Sequence, residues 1–126
     1  MLKTNENRDV TVDPSALQEI ARGPGGSNIL TDLVRIFFNT TPQRLENMAS
    51  AIRNGDVKAL RLAAHSLKTS SDYLGARRMR ALCLDLEKKA ERRVMTDDID
   101  SAVQKIRAEY EQVRLALGRE ISTLRL

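Results

Sequence analysis

The sequence has no tryptophan, two phenylalanines, two tyrosines, one cysteine, one histidine and three prolines in 126 residues. Each scarcity excludes something. With so few aromatics, any core must be built from Leu, Ile, Val, Ala and Met, the mix that helix bundles use. The lone Cys83 cannot close an internal disulfide, which fits a reducing compartment. One His and one Cys cannot supply a zinc site of the usual Cys/His kind. Few prolines and six glycines leave few turns, and no segment sustains the period-two alternation of a half-buried strand. No apolar run approaches the ~18 residues of a membrane span. The start, Met1 to Glu6, lacks the apolar stretch of a secretion signal. These absences predict a single soluble, cytoplasmic, all-α domain without membrane contact.

Charged residues make up 30% of the chain and hydrophobic ones 41%, a globular balance. The net charge of +4 and the pI of about 9.6 would suit acidic partners or nucleic acid, although a solvated arginine-rich surface is the simpler reading.

The stretch around which the chain is organised runs from Ala63 to Ala76. Apolar or small residues at Val57, Leu60, Ala64, Leu67, Ser71 and Leu74 step by three and four, the seam of an amphipathic helix. His65 follows the seam residue Ala64 and so turns about 100° off it, onto the helix flank. Lys58, Arg61, Leu62, Lys68, Thr69 and Asp72 share that flank at helical spacing. A single flank histidine usually means nothing. Here a cation stands at i+3, the surrounding side chains are small, and Thr69-Ser70-Ser71 is a run of poor helix formers in mid-helix.

The rest of the chain supplies the other helices. Residues 1–12 are polar and aperiodic and read as a flexible N-terminal segment, with the bundle domain spanning 13–126. Asp13-Pro14 starts a short helix, with Leu17 and Ile20 inward. Arg22 to Asn28 is glycine-rich but lacks a P-loop pattern, so it reads as a linker. Ile29 to Arg53 is helical, with Pro42 either kinking it or letting Thr41 cap a new helix. Asn54-Gly55 stops it, and Asp56 caps the His65 helix, which ends at Gly75. Ala76 to Arg93 follows with Met79, Leu82, Cys83, Leu86 and Ala90 inward. The short link makes these two helices an antiparallel hairpin. Counting outward from Gly75 pairs Ser71 with Met79, Leu67 with Cys83, Ala64 with Leu86 and Leu60 with Ala90. The same count puts Glu87 near the level of His65. Thr96 caps a last helix from Asp97 almost to the end, which Gly118 is placed to end or loosen. Its stripe past Val113 would fold onto the N-terminus or meet another chain.

His65-Ser66-Leu67-Lys68-Thr69-Ser70-Ser71, then Leu74-Gly75-Ala76, then Cys83 and Leu86-Glu87 resemble the histidine-containing phosphotransfer (HPt) domain family, whose core reads His-x-Leu-Lys-Gly-Ser-Ser. Phe37-Phe38 in the preceding helix also fits. The resemblance spans about Asp13 to Val113. It implies an antiparallel four-helix bundle with a short extra N-terminal helix. It also implies a phosphorelay carrier: a receiver-domain phospho-aspartate gives its phosphoryl group to His65, which passes it to another receiver. By resemblance, His65 Nε2 is the nucleophile, Glu87 takes the Nδ1 hydrogen bond, and Lys68 attracts the phosphoryl oxygens. The partners implied are response-regulator receivers or a hybrid sensor histidine kinase. The chain itself carries no cofactor, and Mg²⁺ sits on the receiver. Arg61, Leu62, Ser66, Thr69, Asp72 and Tyr73 form the expected partner surface, with Arg77, Arg78 and Arg80 as a basic edge. Thr69 departs from the family glycine and crowds the approach to the histidine.

Three other readings stand beside this one. A scaffold of the same fold would bind a receiver or kinase without carrying phosphate. A helical nucleic-acid-binding protein would use Arg77, Arg78, Arg80, Lys88, Lys89, Arg92 and Arg93 on phosphates. An autonomous enzyme lacks a nucleotide motif or an acid pair. The chain is expected to be a monomer, or a dimer through its last helix.

Overall fold

The computed structural model describes residues 10–92 and 95–124. Five helices occupy them: α1, Pro14–Arg22; α2, Gly26–Asn54; α3, Val57–Tyr73; α4, Arg77–Glu91; and α5, Asp97–Leu124. No strand occurs among the described residues, so the protein is all-α. The expectations for residues 1–9, Arg93 and Val94 concern residues outside this range.

The helices start where side chains can satisfy free N–H groups. Asp13 accepts from the Ser15 N–H at 3.0 Å, with Pro14 at the first helical position. Asp56 does the same for Ala59 at 3.0 Å. Gly55 ends α2 in the left-handed conformation.

Helix α2 packs on α3, α3 on α4, α4 on α5, and α5 back on α2, while α1 packs on α2. The ring encloses one core, with Leu17, Leu30, Phe37, Met48, Leu60, Leu67, Met79, Leu86, Ile106 and Leu117 fully or almost fully buried. Burying one such side chain stabilises by roughly 1.5–3 kcal/mol. Phe37 meets Tyr110 across α2 and α5 with ring centroids 5.8 Å apart.

Four expectations need correction. The glycine-rich stretch breaks the helix only at residues 23–25. Gly25 adopts φ 66°, and a Cβ on Gly26 would stand 2.2 Å from the Ile20 carbonyl, so this is a close-packed corner between α1 and α2 rather than a linker. Helix α2 also runs unbroken through Pro42. Thr41 therefore caps no new helix; it is buried, and its hydroxyl makes no hydrogen bond among the described residues.

Residues 10–12 are not loose. The Val10 carbonyl accepts from the Arg78 N–H at 2.9 Å, and Val12 is buried. Finally, α5 continues through Gly118. Leu117 is fully buried, and Ile121 and Leu124 lie against the core, so the stripe past Val113 is covered within the chain.

The turn that joins α3 to α4 sets their register. Gly75 takes φ 70°, the Ala76 N–H reaches the Ser71 carbonyl at 2.9 Å, and the Gly75 N–H reaches Asp72 at 3.2 Å. This is a Schellman ending with glycine at the left-handed position. A Cβ there would also meet Ala16 Cβ at 2.7 Å and the Asp13 carbonyl at 2.9 Å. The Asp13 N–H donates to the Gly75 carbonyl at 2.8 Å, pinning the start of α1 to the turn.

Candidate functional site

All eight residues counted outward from Gly75 face the core of the α3–α4 hairpin. Ser71, Leu67, Ala64 and Leu60 on α3, and Met79, Cys83, Leu86 and Ala90 on α4, are all buried. A second register runs along one side of this seam, in the groove between the helices. There His65 meets Glu87 and Asp72 meets Arg80, each pair of numbers summing to 152.

The run Thr69-Ser70-Ser71 is helical, and each of its hydroxyls bonds back one turn. Thr69 donates to the His65 carbonyl at 3.1 Å, Ser70 to Ser66 at 3.2 Å, and Ser71 to Leu67 at 2.7 Å. Ser70 also accepts from Arg44 of α2 at 3.1 Å, which ties α3 to its other neighbour.

His65 is 58% exposed, whereas Glu87 is only 13% exposed. The two are 2.9 Å apart, from ring Nδ1 to Glu87 Oε2. Lys68, itself largely buried, donates from Nζ to Glu87 Oε1 at 2.6 Å. Burial pushes the Glu87 carboxyl up, but the hydrogen bonds from Lys68 and His65 outweigh it and hold the group below the ordinary glutamate range. An ionised Glu87 accepts only, so Nδ1 must carry the hydrogen of that bond. In the neutral ring, Nε2 then keeps its lone pair. The arrangement is a fixed tautomer on an accessible imidazole, which is a positioned nitrogen nucleophile.

Cys83 lies behind this pair in the core. Burial pushes its thiol up to about 12; the Glu87 charge adds to the rise and Lys68 opposes it. It is an inert packing residue.

Of the expected surface residues, Arg61, Leu62, Thr69, Asp72 and Tyr73 are exposed and Ser66 is partly exposed. Leu62 and Tyr73 are 51% and 63% exposed, large apolar groups on the same helix as His65. The basic edge is not a row of free cations. Arg77 pairs with Asp13 and Asp72, Arg80 with Asp72, and Arg78 with the buried Glu109. The sequence reading missed these partners, since they come from three different elements. It also aimed Lys68 at a phosphoryl group, whereas here Lys68 is held by Glu87. The i+3 spacing of Lys68 and the position of Glu87 together could have signalled that contact.

No helix among the described residues is long and apolar enough to cross a membrane.

A search of curated protein sequences returns no significant match. Among solved structures, the fold is similar to histidine-containing phosphotransfer protein B from Pseudomonas aeruginosa PAO1, with a TM-score of 0.82 at 24% identity, covering 91% of this chain and 97% of that one. It is also similar to the HPT domain of a sensor hybrid histidine kinase from Shewanella, with a TM-score of 0.73 at 19% identity, covering 90% and 95%. The Hpt domain model matches residues 32–116. That match takes in His65, Lys68, Thr69 and Glu87 and most of four helices, and the chain belongs to the Hpt domain family, with a phosphotransfer role in two-component signalling.

Proposed function

We propose that this protein is a phosphorelay intermediate, an antiparallel four-helix bundle that accepts a phosphoryl group from a receiver-domain aspartate onto His65 and passes it to another receiver. The observation that carries this reading is the hydrogen bond of 2.9 Å between His65 Nδ1 and a Glu87 held ionised by Lys68. Nε2 of the neutral ring attacks phosphorus. The N–P bond forms as the bond from phosphorus to the aspartyl oxygen breaks, and the receiver recovers its carboxylate. The ring, now bonded to phosphorus at Nε2 and to hydrogen at Nδ1, is cationic, and Glu87 stabilises that charge.

Lys68 acts first by fixing the second oxygen of Glu87. One turn along α3 from His65, its ammonium would also favour the charge of the phosphoryl oxygens. The Mg²⁺ that neutralises the phospho-aspartate belongs to the receiver, and the phosphocarrier itself needs no cofactor. A cytoplasmic location follows from those partners. The docking surface is the exposed flank of Arg61, Leu62, Ser66, Thr69, Asp72 and Tyr73 around the histidine. The Thr69 methyl and hydroxyl narrow the approach where a glycine would leave room, which restricts the set of receivers that transfer quickly.

The test is phosphotransfer from a panel of receiver domains of the same organism, each charged with acetyl phosphate and Mg²⁺. Wild type is expected to gain acid-labile, alkali-stable label, and His65→Gln to gain none. No label on wild type from any receiver that binds it would replace this reading with that of a scaffold.

A further inference from the structure

The groove that holds His65 continues beyond it. Asp72 lies seven residues after His65 on α3, and Arg80 lies seven before Glu87 on α4. Seven residues are almost two full turns, so each returns to the same face about 10 Å further along. The two cross-helix pairs therefore sit in one groove, with the reacting nitrogen at one and a cleft at the other.

The cleft has a volume of about 430 Å³ and is lined by Arg77, Arg80 and Lys88 together with Asp72, Asp85 and Leu84. Asp85 is already engaged, as it pairs with Lys89 at 3.0 Å. Asp72 faces both guanidinium groups, and Asp13 is a second acid 3.6 Å from Arg77. Asp72 Oδ1 accepts from Arg77 Nη1 at 3.4 Å and lies 3.2 Å from Arg80 Nε. Both contacts are long for charge-assisted hydrogen bonds, and Asp72 is 56% exposed, so little holds either arginine to it. Lys88 makes no ion pair among the described residues. Arg77 and Arg80 stand in the first turn of α4, where the helix dipole already disfavours positive charge and no acid offsets it. Asp13 offsets part of this cost at Arg77, whereas Arg80 has no acid but Asp72 among the described residues.

From this geometry we infer that Asp72 is a specificity-determining residue: it masks Arg77 and Arg80 in a cleft two turns from His65, and an acidic group of the docking receiver takes its place on Arg80. The inference rests on the proposed phosphorelay reading and names the second point of contact for that same partner. A receiver with a carboxylate at the matching distance from its phospho-aspartate exchanges one ion pair for another and is retained. A receiver with a cation there meets two guanidinium groups and is rejected. Asp72 sets the threshold of this selection by lowering the field of the cleft.

Association rates of wild type, Asp72→Asn, Arg80→Gln and the double variant should be measured against the same receiver panel, at about 50 mM and about 300 mM salt. Phosphotransfer is followed in parallel, and thermal melting confirms that each variant is folded. At low salt, Asp72→Asn is expected to speed association of the more acidic receivers roughly threefold and Arg80→Gln to slow it by a similar factor. The double variant should return near the wild-type rate, and high salt should erase the differences. Rates for Asp72→Asn equal to wild type across the panel at low salt would overturn the inference, even if phosphotransfer proceeds. Binding with the expected salt-dependent shifts but no label on His65 would uphold the cleft and overturn the phosphorelay reading. Absence of binding by every receiver would overturn both.

Discussion

Two glutamates, Glu87 on α4 and Glu109 on α5, each reach from their own helix to a cation on the helix before it. Both are largely buried, at 13% and 7% side-chain exposure. Their environments differ in how many carboxylate oxygens are answered. Glu87 uses both oxygens, one on Lys68 and one on His65. Glu109 places Oε1 3.2 Å from Arg78 Nε, while Oε2 is buried with no hydrogen-bond partner among the described residues. Burial then pushes the Glu109 carboxyl above the ordinary range, with Arg78 opposing, whereas the contacts of Glu87 outweigh burial and pull it below. A buried carboxylate stays reliably ionised when both oxygens are answered, and an acid that must orient a ring needs that. Glu109 joins α4 to α5, and nothing in its surroundings serves a reaction.

The sharpest way to break this contrast is to remove each acid. Glu87→Ala loses two charge-assisted hydrogen bonds and should slow phosphotransfer from a charged receiver on the order of a hundredfold. Glu109→Ala should leave that rate unchanged at a temperature where the variant is folded. Equal rates for wild type and Glu87→Ala would show that the tautomer is not set by this contact.

A smaller effect should follow from the cation. Lys68→Met removes one charged hydrogen bond and frees one Glu87 oxygen, so transfer should fall roughly tenfold. The residual rate should drop little further in the Lys68→Met, Glu87→Ala double variant than in Glu87→Ala alone, because Lys68 acts largely through Glu87. Fully additive losses, measured in the same transfer assay, would give Lys68 an independent role on the phosphoryl group.

The two acids should also show opposite pH dependence in folding. The depressed folded value of Glu87 makes its contribution present above the ordinary carboxylate range and lost as pH falls through that depressed value. The raised value of Glu109 works the other way, and its contribution is lost as pH rises from the unfolded value through the folded one. Urea unfolding from acid to neutral pH should therefore find Glu87→Gln destabilised toward neutral pH and Glu109→Gln gaining on wild type over the same interval. Each difference should be about 1 kcal/mol, the scale of a typical single substitution. Parallel curves for the two variants would erase the distinction.

The smallest change concerns the wall of the site. Thr69→Gly gives up the bond from the hydroxyl to the His65 carbonyl and some helix propensity, about 0.5 kcal/mol of stability. It should raise transfer rates with the receivers that react slowly with wild type. Identical rates across several receivers would mean that Thr69 does not crowd the site.

Much of this was legible along the chain because it depends on local periodicity. The seam from Leu60 to Ser71, the cap at Asp56 and the left-handed Gly75 are short-range features, and together they set the register that brings Glu87 to His65. The errors arose where a residue's purpose lay in a distant contact. Gly26 reads as a linker until the Ile20 carbonyl is seen against it, and Pro42 leaves a kink and a new cap both open until α2 is seen to run through it. Gly118 reads as an end until Leu117, Ile121 and Leu124 are found on the core.

Sequence alone determined the helical class, the phase of each helix and the placement of His65 off the apolar seam, since these follow from the 3.6-residue repeat and from side chains within one turn. Only the tertiary structure decided how charge is shared. Lys68 is held by Glu87, Asp72 lies loosely between two arginines, and Arg78 faces a buried acid on α5. The physical reason is that an ion pair depends on distance in space and on burial. Neither quantity is written in the spacing of residues along one helix.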